Sequence, residues 1–594
     1  MKKFVVLTLF GLLIMAFSAT VYAQKLEFKA SGTIDFDTVW AMNVPYYFAN
    51  VAAAHTAHAG LFQTNAGIMA FNPFSGAADR GLNHNDAYAY SRGILRFDAV
   101  MSKDLSGTFI FELDAFRWGS SSGWLSNGKG SAGLGAHGGT LTVGSERNTM
   151  GVWSTDRAAV EVKNVYIDFG LPYFGIPVPM TVRVGAQPFG VRPNMVVYTD
   201  GAGITGGINA GPVTIIPMWA KMGEGLDWNS DDNDLYGLHA NAKVGTFTVG
   251  GYGLFYKMRT YPGEYVTGAN WPTVIGGYTW PIATSSSYGL YMAGTDKANF
   301  WWYGLYADGK AGPVNLNADI VWDTGKVKRK KMFDTVGGTG ATGLPVDWTF
   351  PGQGFDSVKY SGWAGRLKVD FPWEKLNFGV TGMYASGMDA NKTSTSGIPG
   401  TAVANRGYNA LTGALSRKVG GYVVPPGSEQ SPSSQESIVM YSCFNAAADG
   451  GTGIAQVGNY NSVSRGAFGG TWFAKLYGSA KLLPWYKVTL QGLYIGDTTK
   501  NGNTLGTAVK NPFSPISNQL LRDDKKIGWE LDVINEIQIY KNLTWFVGGG
   551  YLWAGPALDL YNNAGATGAS PAATARNIEY RNPWNITTRL LYSF

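Results

Sequence analysis

The 594-residue chain holds a single cysteine, Cys443, which excludes a disulfide framework, a haem-attachment motif and a thiolate metal site. Charged residues are only 15% of it. Beyond the first two dozen residues no apolar stretch reaches the ~18 residues that a helical membrane span requires. The G-x-S-x-G, H-E-x-x-H and P-loop patterns are missing, so no catalytic role is expected. Nor does the formal charge of +6 predict a nucleic-acid partner.

What is present points elsewhere. Glycine numbers 81, and aromatic residues reach 14%, with 32 Tyr and 20 Trp. Such a chain has too many large apolar groups to be disordered. High glycine and aromatic content with low charge fits a secreted all-β protein or a transmembrane barrel.

The first residues read as an export signal over 1–23. Lys2 and Lys3 precede an apolar run from Phe4 to Phe17, and Val21-Tyr22-Ala23 forms a small-residue cleavage site. Cleavage is expected after Ala23, leaving residues 24–594 as one barrel domain. Residue 24 is Gln24, so no lipid-acceptor cysteine waits there. Removing the two lysines changes the charge from +6 to 6 − 2 = +4.

The stretch "QKLEFKASGTIDFDTVW" (24–40) then alternates strictly. Leu26, Phe28, Ile34, Phe36 and Trp40 share one parity, while Lys29, Asp35 and Asp37 share the other. Successive side chains of a strand point to opposite faces, so this is one long strand with one apolar and one charged side. Similar runs recur as strand, short turn, strand and longer loop. Turns are expected near Gly211-Pro212, Val244-Gly245, Ala311-Gly312-Pro313, Pro372-Trp373, Pro484-Trp485 and Lys541-Asn542. The count is eighteen strands, with sixteen as the alternative. An even number with short turns at one end and long loops at the other is the signature of an outer-membrane barrel. Backbone groups in lipid must all be paired, so the sheet has to close.

Parity assigns an inward, pore-lining set: Arg92, Arg96, Asp98, Glu112, Asp114, Arg183, His239, Asp319, Asp323, Arg366, Lys368, Asp370, Lys475, Glu530, Asp532, Glu536 and Arg589. Charges are tolerated on a watered wall and costly against lipid. Arginine is therefore expected to be costly at Ile34 and tolerated at Asp35. Arg92, Arg96 and Arg589 should become neighbours when the barrel closes, forming a basic stripe that biases ion passage. In "VEVKNVYIDFG", Glu161 and Lys163 share the parity of Val165, Ile167 and Phe169. A bulge between them would restore the sorting; otherwise the assigned facing is wrong at one end, and the facing of this strand is left open.

The final run, with Trp584, Ile586, Leu590, Tyr592 and Phe594 on one parity, resembles the closing strand of outer-membrane barrel proteins. That likeness implies that Tyr592 and Phe594 form the assembly signal read by the barrel insertion machinery. The segment 160–191 resembles a hairpin of Gram-negative porins. Val165-Tyr166-Ile167-Asp168-Phe169 and Gly185-Ala186-Gln187 match its two strands, with Ala186 where the family carries arginine. The resemblance implies passive diffusion of small hydrophilic solutes through a homotrimer embedded in outer-membrane lipid, with no cofactor. Eighteen strands is also the number in maltoporin-like sugar channels, and inward Trp302, Tyr306, Phe473 and Tyr477 could line a sugar path. A third role is a scaffold or sheath barrel around a periplasmic electron-transfer partner. A plugged active transporter would need an amino-terminal plug and more strands than this chain holds.

Three long loops are expected, at 41–86, 119–157 and 388–466, and one of them should fold inward as a constriction. Loop 41–86 carries His55, His58 and His84, but no carboxylate cluster accompanies them, so no metal is assigned.

Overall fold

The computed structural model describes residues 26–43, 86–118, 160–171, 178–193, 195–224, 232–261, 274–275, 278–279, 296–328, 357–389, 418–426, 436–441, 463, 465–506, 508–512, 520–562 and 576–594. The export signal, His55, His58, His84, Cys443, loop 119–157 and most of loop 41–86 lie outside these residues.

The alternating runs are strands. In the first half of the chain they are β1 (Glu27–Met42), β2 (Asp86–Ser102), β3 (Leu105–Arg117), β4 (Glu161–Gly170), β5 (Met180–Val191), β6 (Val197–Ala210), β7 (Val213–Gly223), β8 (Asn233–Val244) and β9 (Phe247–Tyr261). The second half supplies β10 (Asp296–Ala311), β11 (Val314–Lys328), β12 (Ser357–Trp373), β13 (Leu376–Ala385), β14 (Thr471–Leu483), β15 (Tyr486–Asp497), β16 (Lys526–Tyr540), β17 (Leu543–Ala554) and β18 (Trp584–Ser593). Each pairs antiparallel with its sequence neighbours, and β18 returns to β1 with Asp37 opposite Arg589 and Ile34 opposite Tyr592. The result is a closed all-β barrel of eighteen strands. Among the described residues the only helical turn is a 3-10 turn at Pro556–Leu558.

The short turns occupy one end. Gly211, Gly245 and Gly312 take φ near +60° at the first turn position, which a two-residue hairpin demands and glycine adopts without steric cost. One expected turn is displaced. Pro372 and Trp373 lie inside β12, opposite Asn377 and Leu376, and Glu374-Lys375 makes the turn. Pro372 is tolerated because the pairing of β12 with β11 ends at Asp370 opposite Asn315, leaving no ladder partner on that side.

The two faces sort as the alternation demands. Phe28, Ile34, Phe36 and Trp40 of β1 are exposed on the outside, whereas Asp35 and Asp37 are buried within. In β4 the bulge is real: Ile110 of β3 faces Asn164 while Phe111 faces Val162, so Lys163 is the extra residue. Val162, Val165 and Ile167 all remain exposed on the outer face as a result.

The inner face departs from a simple wet wall. In β14, Thr471, Phe473 and Lys475 are buried, while Tyr477 and Ser479, nearer the short turn, are half-buried. β16 shows the same gradient. The half of the lumen away from the short turns is filled by the chain itself. Tyr422–Val424, Val439–Tyr441, Phe468, Leu505 and Ala557–Leu558 pack there against Trp302, Val321, Ala364 and Phe473 of the wall in one apolar core. Burying that apolar surface drives the connections inward. Towards the short turns the wall stays polar and accessible.

Candidate functional site

Loop 388–466 supplies the central feature. Its segment 436–441, Glu-Ser-Ile-Val-Met-Tyr, is buried throughout and lies against wall residues of β12 and β14–β17. Arg366 of β12 donates to the Glu436 carboxylate at 2.7 and 3.0 Å, and to Asn317 Oδ1 of β11 at 2.7 Å. Lys475 of β14 donates to the same carboxylate and, at 3.0 Å, to the Glu436 carbonyl. One anion on the loop thus joins two cations on the wall.

The other end of the segment is held with opposite polarity. Glu530 of β16 accepts from the backbone N–H groups of Val439 at 2.6 Å and Met440 at 3.0 Å, and from Ser437 Oγ at 3.0 Å. Asp532 accepts from Ile438 N–H at 3.3 Å and from Gln491 Nε2 at 2.8 Å. Buried carboxylates need such donors, since an unpaired charge in a filled lumen is expensive. The segment is closed on itself as well, with Tyr441 N–H donating to Ser437 Oγ at 2.8 Å.

A second strap runs over 418–426. Lys418–Val419 add in parallel to β12. Trp302 Nε1 donates to the Val423 carbonyl at 2.8 Å, and Val423 N–H donates to Asp323 at 3.2 Å. Asp323 also accepts from Gly362 N–H at 3.1 Å. The Tyr422 hydroxyl donates to the Met195 carbonyl at 2.6 Å, tying this strap to the turn after β5. In that turn Arg192 pairs with Asp319 at 2.5 Å and Asp308 at 2.6 Å, and its guanidinium lies 4.1 Å from the Tyr306 ring centroid. His239 bonds the Tyr306 hydroxyl at 2.8 Å.

The arginines expected to form a basic stripe do lie on neighbouring strands, but each is matched by an acid. Arg589 meets Asp35 at 2.5 Å, Arg92 meets Glu112 at 2.5 Å, and Arg96 meets Asp98 at 2.9 Å. Glu112 also pairs with Lys163, and Arg183 with Asp168, at 2.8 and 2.7 Å. Alternating signs along one wall cancel, so a purely basic stripe is replaced by a chain of ion pairs. The expected tolerance of arginine at Asp35 falls for the same reason: the site is buried and already faces a cation.

The remaining inward residues sit lower or apart. Lys368 pairs with Asp370 at 3.5 Å, and Asp370 accepts from the Tyr477 hydroxyl. Glu536, near the short-turn end, meets Lys487 at 3.3 Å with both side chains largely exposed. Asp114 belongs to β3, but its side chain is outside the described set. Phe594 exchanges backbone hydrogen bonds with Gly32 at 2.9 and 3.0 Å, and its ring stacks on Tyr592.

Sequence parity missed Glu436 and Arg192, because both lie outside the regular strands. A signal existed for the first: "ESIVMY" and "YVVPP" are apolar islands in a loop otherwise rich in Gly, Ser and Asn. The aromatic residues proposed for a sugar path prove to be packing residues in part. Trp302 and Phe473 are 0% and 1% exposed beneath the straps.

No family model and no curated protein matches this chain. Among solved structures the chain is similar to crystal structures of Pseudomonas aeruginosa proteins. OccK11 (OpdR) is 8% identical with a TM-score of 0.39, the match covering 95% of this chain and 96% of that one. OccK8 (OprE) is 8% identical with a TM-score of 0.40, over 96% and 98% of the two chains. OpdK, solved with vanillate, is 8% identical with a TM-score of 0.40, over 95% and 98%. Likeness at this level transfers no residue role from those proteins to this one.

Proposed function

We propose that the chain is a passive diffusion channel of a Gram-negative outer membrane. The observation that carries this is the combination of a closed eighteen-strand barrel, an apolar outer belt and an ion-paired inner wall crossed by a clamped loop. A barrel closed this way leaves no backbone group unpaired in lipid, and its polar interior suits water and small hydrophilic solutes. Segment 436–441 is the constriction, and the residues around it set which solutes pass. With both signs represented on the wall, the channel orients dipolar solutes and selects weakly among ions. Its task is transport rather than catalysis. Export by the leader over 1–23 rests on its basic start, apolar run and cleavage site; insertion through Tyr592 and Phe594 rests on resemblance to outer-membrane barrels, and assembly as a homotrimer on resemblance to porins.

The sheath alternative requires a wide lumen for a partner protein. Two straps of this chain crossing the lumen weigh against it. Conductance of the purified protein in a planar bilayer tests the proposal. Stepwise openings that scale with salt are expected, with trimers in native mass spectrometry. A protein that inserts yet stays silent would favour the sheath.

A further inference from the structure

The outer face of β9–β12, at the end away from the short turns, carries two successive bands. The first is aromatic. Phe255 stacks on Trp301 at 4.4 Å between centroids, Tyr303 stacks on Trp322 at 5.9 Å, and Trp322 lies opposite Trp363. The second is basic. Lys257 lies opposite Asn299, Asn299 opposite Lys326, Lys326 opposite Lys359, and Lys359 beside Lys418. Lys297 and Lys328 face each other two residues further along. Lys257 and Asn299 follow Phe255 and Trp301 on the same face, about 7 Å beyond the rings.

Lysines directly opposite each other on adjacent strands repel and destabilise a sheet. One acid stands at the edge of this row and none within it. Asp234, which accepts from Trp219 Nε1, lies opposite Lys257 without forming an ion pair, while Asp232 and Glu224 are taken by Lys221 of β7 at 2.7 and 2.9 Å. Among the described residues Lys257, Lys297, Lys326, Lys328 and Lys359 have no ion-pair partner. Three strands therefore present cations in one row, with Asn299 of β10 between Lys257 and Lys326, and the Lys297–Lys328 pair stands just beyond it; both lie past the aromatic band that marks a membrane interface.

We propose that this lysine band binds the phosphate groups of a phosphorylated glycolipid in the outer leaflet, whose acyl chains lie along the aromatic band. Each ammonium offers three donors, a phosphate offers several acceptor oxygens, and two phosphates on one sugar headgroup can bridge lysines of neighbouring strands. Lysine stems lie along apolar surface while their heads reach the headgroup level. The proposal rests on the outer-membrane reading for the leaflet it meets, and does not depend on conduction.

Native mass spectrometry of the full chain in detergent tests it, with bisphosphorylated lipid A, fully dephosphorylated lipid A and inorganic phosphate as probes. The K257Q/K326Q/K359Q variant is compared with K243Q/K310Q/K375Q, which alters lysines at the short-turn end. Retention of the bisphosphorylated lipid should fall at least tenfold in the first variant and stay unchanged in the second. The dephosphorylated lipid should be retained weakly, and millimolar phosphate should not displace the intact lipid. The lipid-free first variant should be at least as heat-resistant as the parent, because like-charge repulsion is relieved. Should it fail to fold, K326Q alone must still lower retention several-fold. Equal retention by parent and variant, equal retention of the dephosphorylated lipid, or displacement by phosphate would each overturn the site. Insertion into vesicles is scored separately, so failure of the membrane reading shows up there.

Discussion

Replacing Glu436 by glutamine removes the one anion that ties segment 436–441 to Arg366 and Lys475. The carboxylate is 7% exposed and its two partners 6% and 8%. Burial alone would push its pKa up, but the charges and hydrogen bonds of Lys475 and Arg366 more than reverse this and hold it at about 2, against an ordinary 4.5. At 1.36 kcal/mol per decade that difference is roughly 3 kcal/mol. The figure sits at the low end of the ~3–5 kcal/mol lost when one partner of a buried pair is removed. Glutamine keeps the shape and one acceptor, so the low end is appropriate. A loss of that size raises the released population of the segment roughly a hundredfold. Because the folded pKa is depressed, the clamp is at full strength above pH 4.5 and weakens as pH falls through about 2. Single-channel recordings at pH 7 and pH 3 provide the assay. E436Q should show larger or noisier openings than the parent at pH 7 and little further change at pH 3. An E436Q trace indistinguishable from the parent at both values would refute the clamp.

Other outcomes follow from the wall. Arginine at Ile34 should weaken folding into lipid vesicles by about 2–4 kcal/mol near the midplane, and arginine at Asp35 should cost ~3–5 kcal/mol by stranding Arg589 beside a like charge. A parental urea midpoint for either variant would contradict the facing. Neutralising Arg92 and Arg96 together leaves Asp98 short of its partner, so the reversal potential should move towards cations, more so in dilute salt. An unchanged potential in dilute salt would make those ion pairs purely structural. Phe594→Asp should slow insertion and leave periplasmic aggregates, since it removes both the terminal ring and its stacking on Tyr592; normal surface levels would show that the ending carries no signal.

The sequence by itself determined the barrel. Period-two alternation is a local property, and a strand such as 27–42 must place Ile34 and Asp35 on opposite faces whatever surrounds it. The turns at Gly211, Gly245 and Gly312 were legible for a similar reason, because the left-handed backbone they need favours glycine. The break in parity around Lys163 was visible as well, but the facing of that strand stayed open until the pairing of Phe111 with Val162 placed the bulge. What the inner wall faces was decided only in three dimensions. Asp323 and Lys475 have the parity of wet wall residues, yet the first accepts hydrogen bonds from Val423 and the second holds Glu436. Glu436 is 70 residues from Arg366 and 94 from Glu530 in sequence, and no periodicity links a loop to the strands on which it closes. The basic stripe dissolved for the same reason: parity fixes which side a charge takes, but barrel closure and register decide which opposite charge meets it.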